Sequence, residues 1–333
     1  MAAAGQLWDG NDPAAIERGA ALLARGELLA FPTETVYGLG ARADDDAAVA
    51  KIYAAKGRPA AHPLIVHVSD IDAARHFAAG LSPLAERLMA AFWPGPLTVI
   101  VPRAPAVAAA AGGGQDSIGL RSPAHPVARA LLAAAARQGV PGVAAPSANR
   151  YGHVSPTRAA HVVDEFAGVV PVLDGGACQV GIESSIVDTT RGHAVLLRPG
   201  MIDAARIEAA AGERLLARDA SAPRASGTLL AHYAPHARLR LMDADMLRRA
   251  LDVLGPGGLK GTTLAVYSRT VTAPQGIRQR RMPASAAGAA HDLFAALRDF
   301  DAEGVGLIWV ETPPATAEWD GIRDRLQRAA AAA

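Results

Sequence analysis

Residues 28–59 read LLAFPTETVYGLGARADDDAAVAKIYAAKGRP. A short apolar, β-rich run (28–31) leads into a polar loop with two glycines, and an alanine-rich stretch follows with Val49, Ile52 and Tyr53 on one stripe. That order predicts strand, loop, helix. Asp44, Asp45 and Asp46 supply acceptors for the helix start, and Gly57 supplies the left-handed stop. Working outward, further strands are expected at 64–68, 97–102, 117–121, 142–145, 169–173, 184–188 and 195–197, with helices at 83–92, 126–138 and 157–165. Several strands follow one another without room for a crossover helix, so the expected fold is α/β around one large, twisted, mixed sheet.

The texture changes after residue 203, where an alanine-rich helix precedes a Ser, Pro, Gly and Ala stretch at 220–228 that reads as a linker. Strand-like runs at 239–242, 263–267 and 305–310 then alternate with helical segments at 245–254, 285–300 and 317–329, which predicts a small parallel, Rossmann-like second domain. It has no G-x-G-x-x-G fingerprint. GPGGLKGTT at 255–263 is read as a flexible turn, because Lys260 precedes Gly261 and not Ser or Thr. The expected divisions are 12–202 for the first domain, 203–236 for a linker that closes over the site as a lid, and 237–330 for the second domain.

Composition narrows the class. The 333 residues are 50% apolar and 20% charged, with a formal net charge of +1, as in a soluble globular protein and unlike a disordered one. No strongly apolar run of membrane-spanning length occurs, and residues 1–13 lack the pattern of a signal peptide, so a cytoplasmic location is expected. With Cys178 alone, an internal disulfide and a multi-thiolate zinc site are excluded. The near-zero charge argues against bulk coating of nucleic acid. Of the 33 basic residues only Lys51, Lys56 and Lys260 are lysine, so a lysine here draws notice.

Polar residues cluster at strand ends. The loop from Pro32 to Gly40 reads on its own as a polar turn. Lys56 and Arg58, which on their own could cap a helix dipole, lie close to His62 and His67 and together could form an anion socket. His67 is expected on the strand face opposite Leu64, Val66 and Val68. In 117–121, Ser117, Gly119 and Arg121 share one face, either a solvent-facing edge or a cradle for a carboxylate. Ala145-Pro-Ser147-Ala-Asn149 puts a hydroxyl and an amide just after a strand, Ser184 and Ser185 form a hydroxyl pair, and Arg198 ends another strand. No Walker A, H-E-x-x-H or G-x-S-x-G sequence occurs. Lys56, Arg58 and Arg198 with the hydroxyls Ser117, Ser147, Ser155 and Ser184 point to a cleft that orients a nucleoside triphosphate and acts by proximity and charge.

These pieces together resemble the YrdC-like family in its long form with a C-terminal domain. The matching segments are FPTETVYGLGA, KIYAAKGRP, HPLIVH, WPGPLT, LRSPAHP, APSAN, ESSIVD, LRPG and SGTLLAHYAP, in family order between residues 31 and 235. The K-x-R and S-x-N signatures stand as Lys56-Gly57-Arg58 and Ser147-Ala148-Asn149. The departures from the family pattern are His62 and Ser185.

The resemblance implies condensation of L-threonine, bicarbonate and ATP into threonylcarbamoyl-adenylate with release of pyrophosphate, a nucleotidyl transfer. The product would serve threonylcarbamoyladenosine modification of tRNA through downstream transferase proteins. Carried over by position, Thr35, His67, Arg121, Ala145 and Ser184 would contact threonine. Arg58, His62, Ser117, Ser147, Ser155, Arg198 and Tyr233 would contact ATP. Lys56, Arg58, Ser147 and Asn149 would carry the chemistry, with Mg²⁺ arriving on ATP and no organic cofactor or dedicated metal site. His67 is a candidate base or a positioning group, and the second domain is expected to anchor the lid. The competing readings are a non-catalytic RNA-binding module with the same basic concavity, for which 5% aromatic residues offer little stacking platform, and a carbamoyltransferase domain.

Overall fold

A computed structural model describes residues 6–254 and 261–332. The turn expected at 255–263 lies largely outside the described residues. By backbone contact the chain forms two compact units, one of Met1–Tyr151 with Ser155–Thr228 and one of Gly152–Val154 with Leu229–Ala333.

The first unit is built on a ten-stranded mixed sheet. Its strands are β1 (Leu7–Asp9), β2 (Leu29–Pro32), β3 (Tyr37–Arg42), β4 (Ile65–His67), β5 (Leu97–Pro102), β6 (Ser117–Arg121), β7 (Val143–Ala144), β8 (Val172–Asp174), β9 (Ser185–Asp188) and β10 (Val195–Arg198). They lie in the order β1-β8-β2-β3-β7-β4-β6-β5-β9-β10. Its helices are α1 (Pro13–Ala24), α2 (Asp46–Lys56), α3 (Ile71–Arg75), α4 (Pro83–Phe92), α5 (Pro126–Arg137), α6 (Ala159–Glu165) and α7 (Ala204–Ala211).

Two apolar layers sandwich the sheet. One gathers Val49 and Ile52 of α2, Leu88 and Met89 of α4 and the strand residues Leu39, Val66, Val99 and Leu120. The other packs Ile16 and Leu23 of α1 and Leu131 of α5 against Leu29, Phe31 and Val143. Helix α2 starts as expected, with the Asp45 carboxylate accepting from the N–H groups of Ala47 and Ala48. It ends at Gly57, whose φ of 63° is the left-handed stop.

The chief departure from expectation is at 37–42, of which 37–40 fell in the loop read from the sequence. It forms β3, which pairs antiparallel with β2 (Leu29 opposite Gly40) and with β7 (Ala41 opposite Ala144). The expected linker also divides. Helix α7 buries Ile207 and Ala211 in the main core of the first unit, and the backbone as far as Thr228 belongs with that unit.

The second unit is a four-stranded, all-parallel sheet of β11 (Arg238–Met242), β12 (Leu264–Ser268), β13 (Arg278–Arg281) and β14 (Leu307–Glu311) in the order β11-β14-β12-β13. Helices α8 (Ala244–Leu254), α9 (Ala286–Ala302) and α10 (Asp320–Ala330) complete it. Strand β13, RQRR, was not expected, because its mostly exposed polar side chains show no apolar alternation. Doubly wound sheets bind ligands beyond the C-terminal ends of adjacent strands. Here the buried Glu311 carboxylate fills that place, accepting from the N–H groups of Arg269 (2.8 Å), Thr270 (2.6 Å) and Val271 (3.3 Å) and from the Thr270 hydroxyl (2.7 Å).

Candidate active site

All the site residues expected from the sequence except Tyr233 lie in the first unit, most of them on or near the central strands. Lys56 is the last residue of α2, and although it is a lysine it is only 2% exposed. Its ammonium donates to the main-chain carbonyls of Ser147 (2.6 Å) and Asn149. The Ser147–Asn149 loop reaches it because the loop runs beside β3: Leu39 N–H donates to Pro146 O, Ala148 N–H donates to Tyr37 O, and Ser147 bridges Gly38. A Cβ on Gly38 would stand 3.1 Å from that of Ala145, so glycine keeps this approach open. Asn149 is buried, and its amide donates to Arg150 O at 2.6 Å.

Two arginines complete a cationic half. Arg58 donates to Pro63 O (3.0 Å) and the Ser226 hydroxyl (3.4 Å), and Arg198 donates to Ser184 O (3.0 Å), the Ser184 hydroxyl (3.2 Å) and Ser226 O (2.9 Å). Both are buried. Ser117 and Gly119 line a narrow cleft with Thr98, Ile186, Arg224 and Ser226. His62 pairs with the Tyr151 hydroxyl at 2.9 Å, and burial, then Arg58 and Arg224, lower its affinity for a proton. The Ser155 hydroxyl donates to the buried carboxylate of Glu183.

The other half is balanced in charge. Arg121 and Glu34, both buried, form an ion pair at 2.7 Å. Arg121 also donates to the Thr35 hydroxyl (3.0 Å) and Gly95 O (3.3 Å). Three of the five guanidinium N–H donors are thus engaged, leaving two, the number a carboxylate takes. His67 pairs with Arg121 in the register of β4 with β6 and meets the Phe31 ring in a T-shaped contact, on the sheet face opposite the Val66 layer. Burial, then the charge of Arg121, pushes its pKa down to about 3. Ser184 closes this half, its hydroxyl sharing a 2.7 Å hydrogen bond with Thr98.

The His67 shift yields a measurable sign. An unfolded histidine titrates near 6.5, so the unfolded chain takes up the proton first. Stability from this group is complete above about pH 6.5 and is lost as the pH falls toward 3. Urea unfolding at pH 7 and pH 5 is expected to show a smaller loss in His67→Gln than in the natural sequence.

Tyr233 belongs to the second unit. There it is 1% exposed, stacks on Phe294 at 5.4 Å and lies under the Arg325 guanidinium, with a φ of 62° that is strained for a side chain of this size. Among the residues of the first unit that contact the expected site, Glu34, Thr98, Tyr151, Glu183 and Ser226 carried no role in the sequence reading. Thr98 alone had a local signal, a hydroxyl within the apolar run 97–102. Among the described residues no group of three or more His, Cys, Asp or Glu could hold a metal ion, and no helix is long and apolar enough to cross a membrane.

A mixed sheet bearing a cationic cleft, followed by a small parallel domain, has clear counterparts. Residues 21–200 match the Sua5/YciO/YrdC family model, described as telomere recombination, and residues 202–331 match the model described as threonylcarbamoyl-AMP synthase, C-terminal domain. Threonylcarbamoyl-AMP synthase of Bacillus subtilis is 39% identical over 96% of this chain and 94% of its own, and that of Pyrococcus abyssi is 34% identical over 94% and 93%. A crystal structure of P. abyssi Sua5 complexed with L-threonine superposes with a TM-score of 0.87 at 34% identity, covering 96% of this chain and 95% of that one. The chain belongs to the threonylcarbamoyl-AMP synthase family.

Proposed function

We propose that this chain is a nucleotidyltransferase that condenses L-threonine, bicarbonate and ATP into threonylcarbamoyl-adenylate and pyrophosphate. The observation that carries the reading is the division of charge within one site. Lys56, Arg58 and Arg198 stand on the side suited to a triphosphate, and the neutralised Arg121 with Thr35, Ser184 and uncharged His67 stands on the side suited to an amino-acid zwitterion. Ser184 joins the halves through its bond from Arg198.

In this reading the two unused N–H donors of Arg121 hold the threonine carboxylate, and Ala145 leaves room beside it. The threonine ammonium loses a proton to solvent, and its nitrogen attacks the carbon of bicarbonate with loss of water, or of CO₂ with loss of a second proton, to give a carbamate. A carbamate oxygen then attacks the α-phosphorus, and the bond to the β,γ-pyrophosphate breaks. Lys56, Arg58 and Arg198 offset charge on the phosphates, and His62, Ser117, Ser147 and Ser155 help to seat the nucleotide. Holding the partners at reacting distance supplies on the order of 7 kcal/mol. A histidine with its pKa near 3 is a weak base, so His67 acts by position. The Ser147 hydroxyl and the Asn149 amide are oxygen donors beside Lys56, and they suit a Mg²⁺ carried on the triphosphate, which would neutralise the leaving pyrophosphate. Of the segment expected as a lid, the part beyond Thr228, with Tyr233 held in the second unit, is the part proposed to cover the nucleotide. The adenylate passes to tRNA threonylcarbamoyl-transferase proteins in the cytoplasm.

The test is pyrophosphate release by the full chain with MgATP. Release that requires threonine and bicarbonate together is expected, and release indifferent to either one would overturn the reading.

A further inference from the structure

Glu34 sits in the loop between β2 and β3, 6% exposed, and its carboxylate accepts from Arg121 Nη2 (2.7 Å) on one oxygen and Ala124 N–H (2.9 Å) on the other. Its own main chain, with that of Thr35, accepts from Val180 and Gly181, which brings the segment leading to Ser184 alongside. A buried ion pair of this kind is a weak source of stability, since desolvation offsets most of the attraction. Its effect on the charge of the pocket is larger. With Arg121 matched by Glu34 and His67 uncharged, this half of the site has no net charge. A pocket with an unmatched arginine would prefer any small carboxylate, whereas a balanced one prefers a ligand that carries both an ammonium and a carboxylate.

We infer that Glu34 is a specificity-determining residue that makes the Arg121 subsite select amino-acid zwitterions over simple carboxylates. This inference rests on the proposed threonine site. Its sign does not depend on where the ammonium comes to rest. Removing one negative charge weakens any ligand bearing a nearby positive charge relative to the same ligand without it, by about tenfold or more at separations of several ångströms in a partly buried site.

The experiment measures L-threonine and 3-hydroxybutyrate, the carboxylate lacking the ammonium, by calorimetry on the full chain. The natural sequence is expected to prefer threonine strongly. In Glu34→Gln the ratio of the two affinities falls at least tenfold, and in Glu34→Asp, which keeps the charge, it stays within about threefold. An unchanged ratio in Glu34→Gln overturns the inference. Should Glu34→Gln fail to fold, the natural sequence still decides, with L-threoninol, which has the ammonium and no carboxylate, as a third ligand. A balanced pocket binds threoninol and 3-hydroxybutyrate comparably weakly, and a marked preference for 3-hydroxybutyrate overturns the inference. If the natural sequence binds no threonine, the proposed function fails first, and that result is distinct from a failure of the role given to Glu34.

Discussion

Lys56→Ala is expected to lower pyrophosphate release by about 10²-fold or more, the usual effect of removing a preorganised charge from a site where charge builds up. The structure adds a second cause. The Lys56 ammonium holds the carbonyls of Ser147 and Asn149, so its loss takes a donor from each and loosens the loop that carries Ser147 and Asn149. A buried acceptor that loses its donor costs about 1–3 kcal/mol. The variant should therefore show a lower urea midpoint as well as a slower turnover. Lys56→Arg is expected to restore little, because a planar fork is longer and wider than the ammonium between the two carbonyls. A turnover within threefold of the natural sequence in Lys56→Ala would remove this residue from the chemistry.

Arg121→Ala is expected to do more damage to the fold. It breaks an ion pair whose side chains are 4% and 8% exposed and strands the Glu34 carboxylate in the interior. Breaking one partner of such a pair costs about 3–5 kcal/mol. The same change removes the fork proposed for the threonine carboxylate, so binding of threonine by calorimetry should vanish while ATP binding weakens far less. The double replacement Arg121→Ala with Glu34→Ala separates the two effects: stability should partly return, and threonine binding should not. Recovery of threonine binding in the double variant would show that Arg121 acts only through the fold.

The sequence and the structure agree where the physical signal is local. The apolar run at 97–102 and the alternation along 117–121 gave strands at those positions, and the Asp cluster and Gly57 bounded α2 correctly to within two residues. Lysine scarcity singled out Lys56 before any contact was known. The segment 37–42 was misread because its glycines carry no side chain to alternate, so its strand character came only from the neighbours on either side. Glu34 stands 87 residues from Arg121, and no pattern along the chain announces such a pairing. By backbone contact the first unit also runs past the expected 202, to Thr228. Ile207 and Ala211 look like any alanine-rich helix until they are seen buried in its core, and a truncation at 203 would strip them from it.

Arg58 donates to the Ser226 hydroxyl and Arg198 to its main-chain carbonyl. If the proposed triphosphate site is correct, seating would be an exchange in which phosphate oxygens replace a serine hydroxyl and a peptide carbonyl as partners of the two guanidinium groups. The net affinity would then be the difference between the two sets of bonds, so that pyrophosphate would depart as the chain reclaims its own arginines.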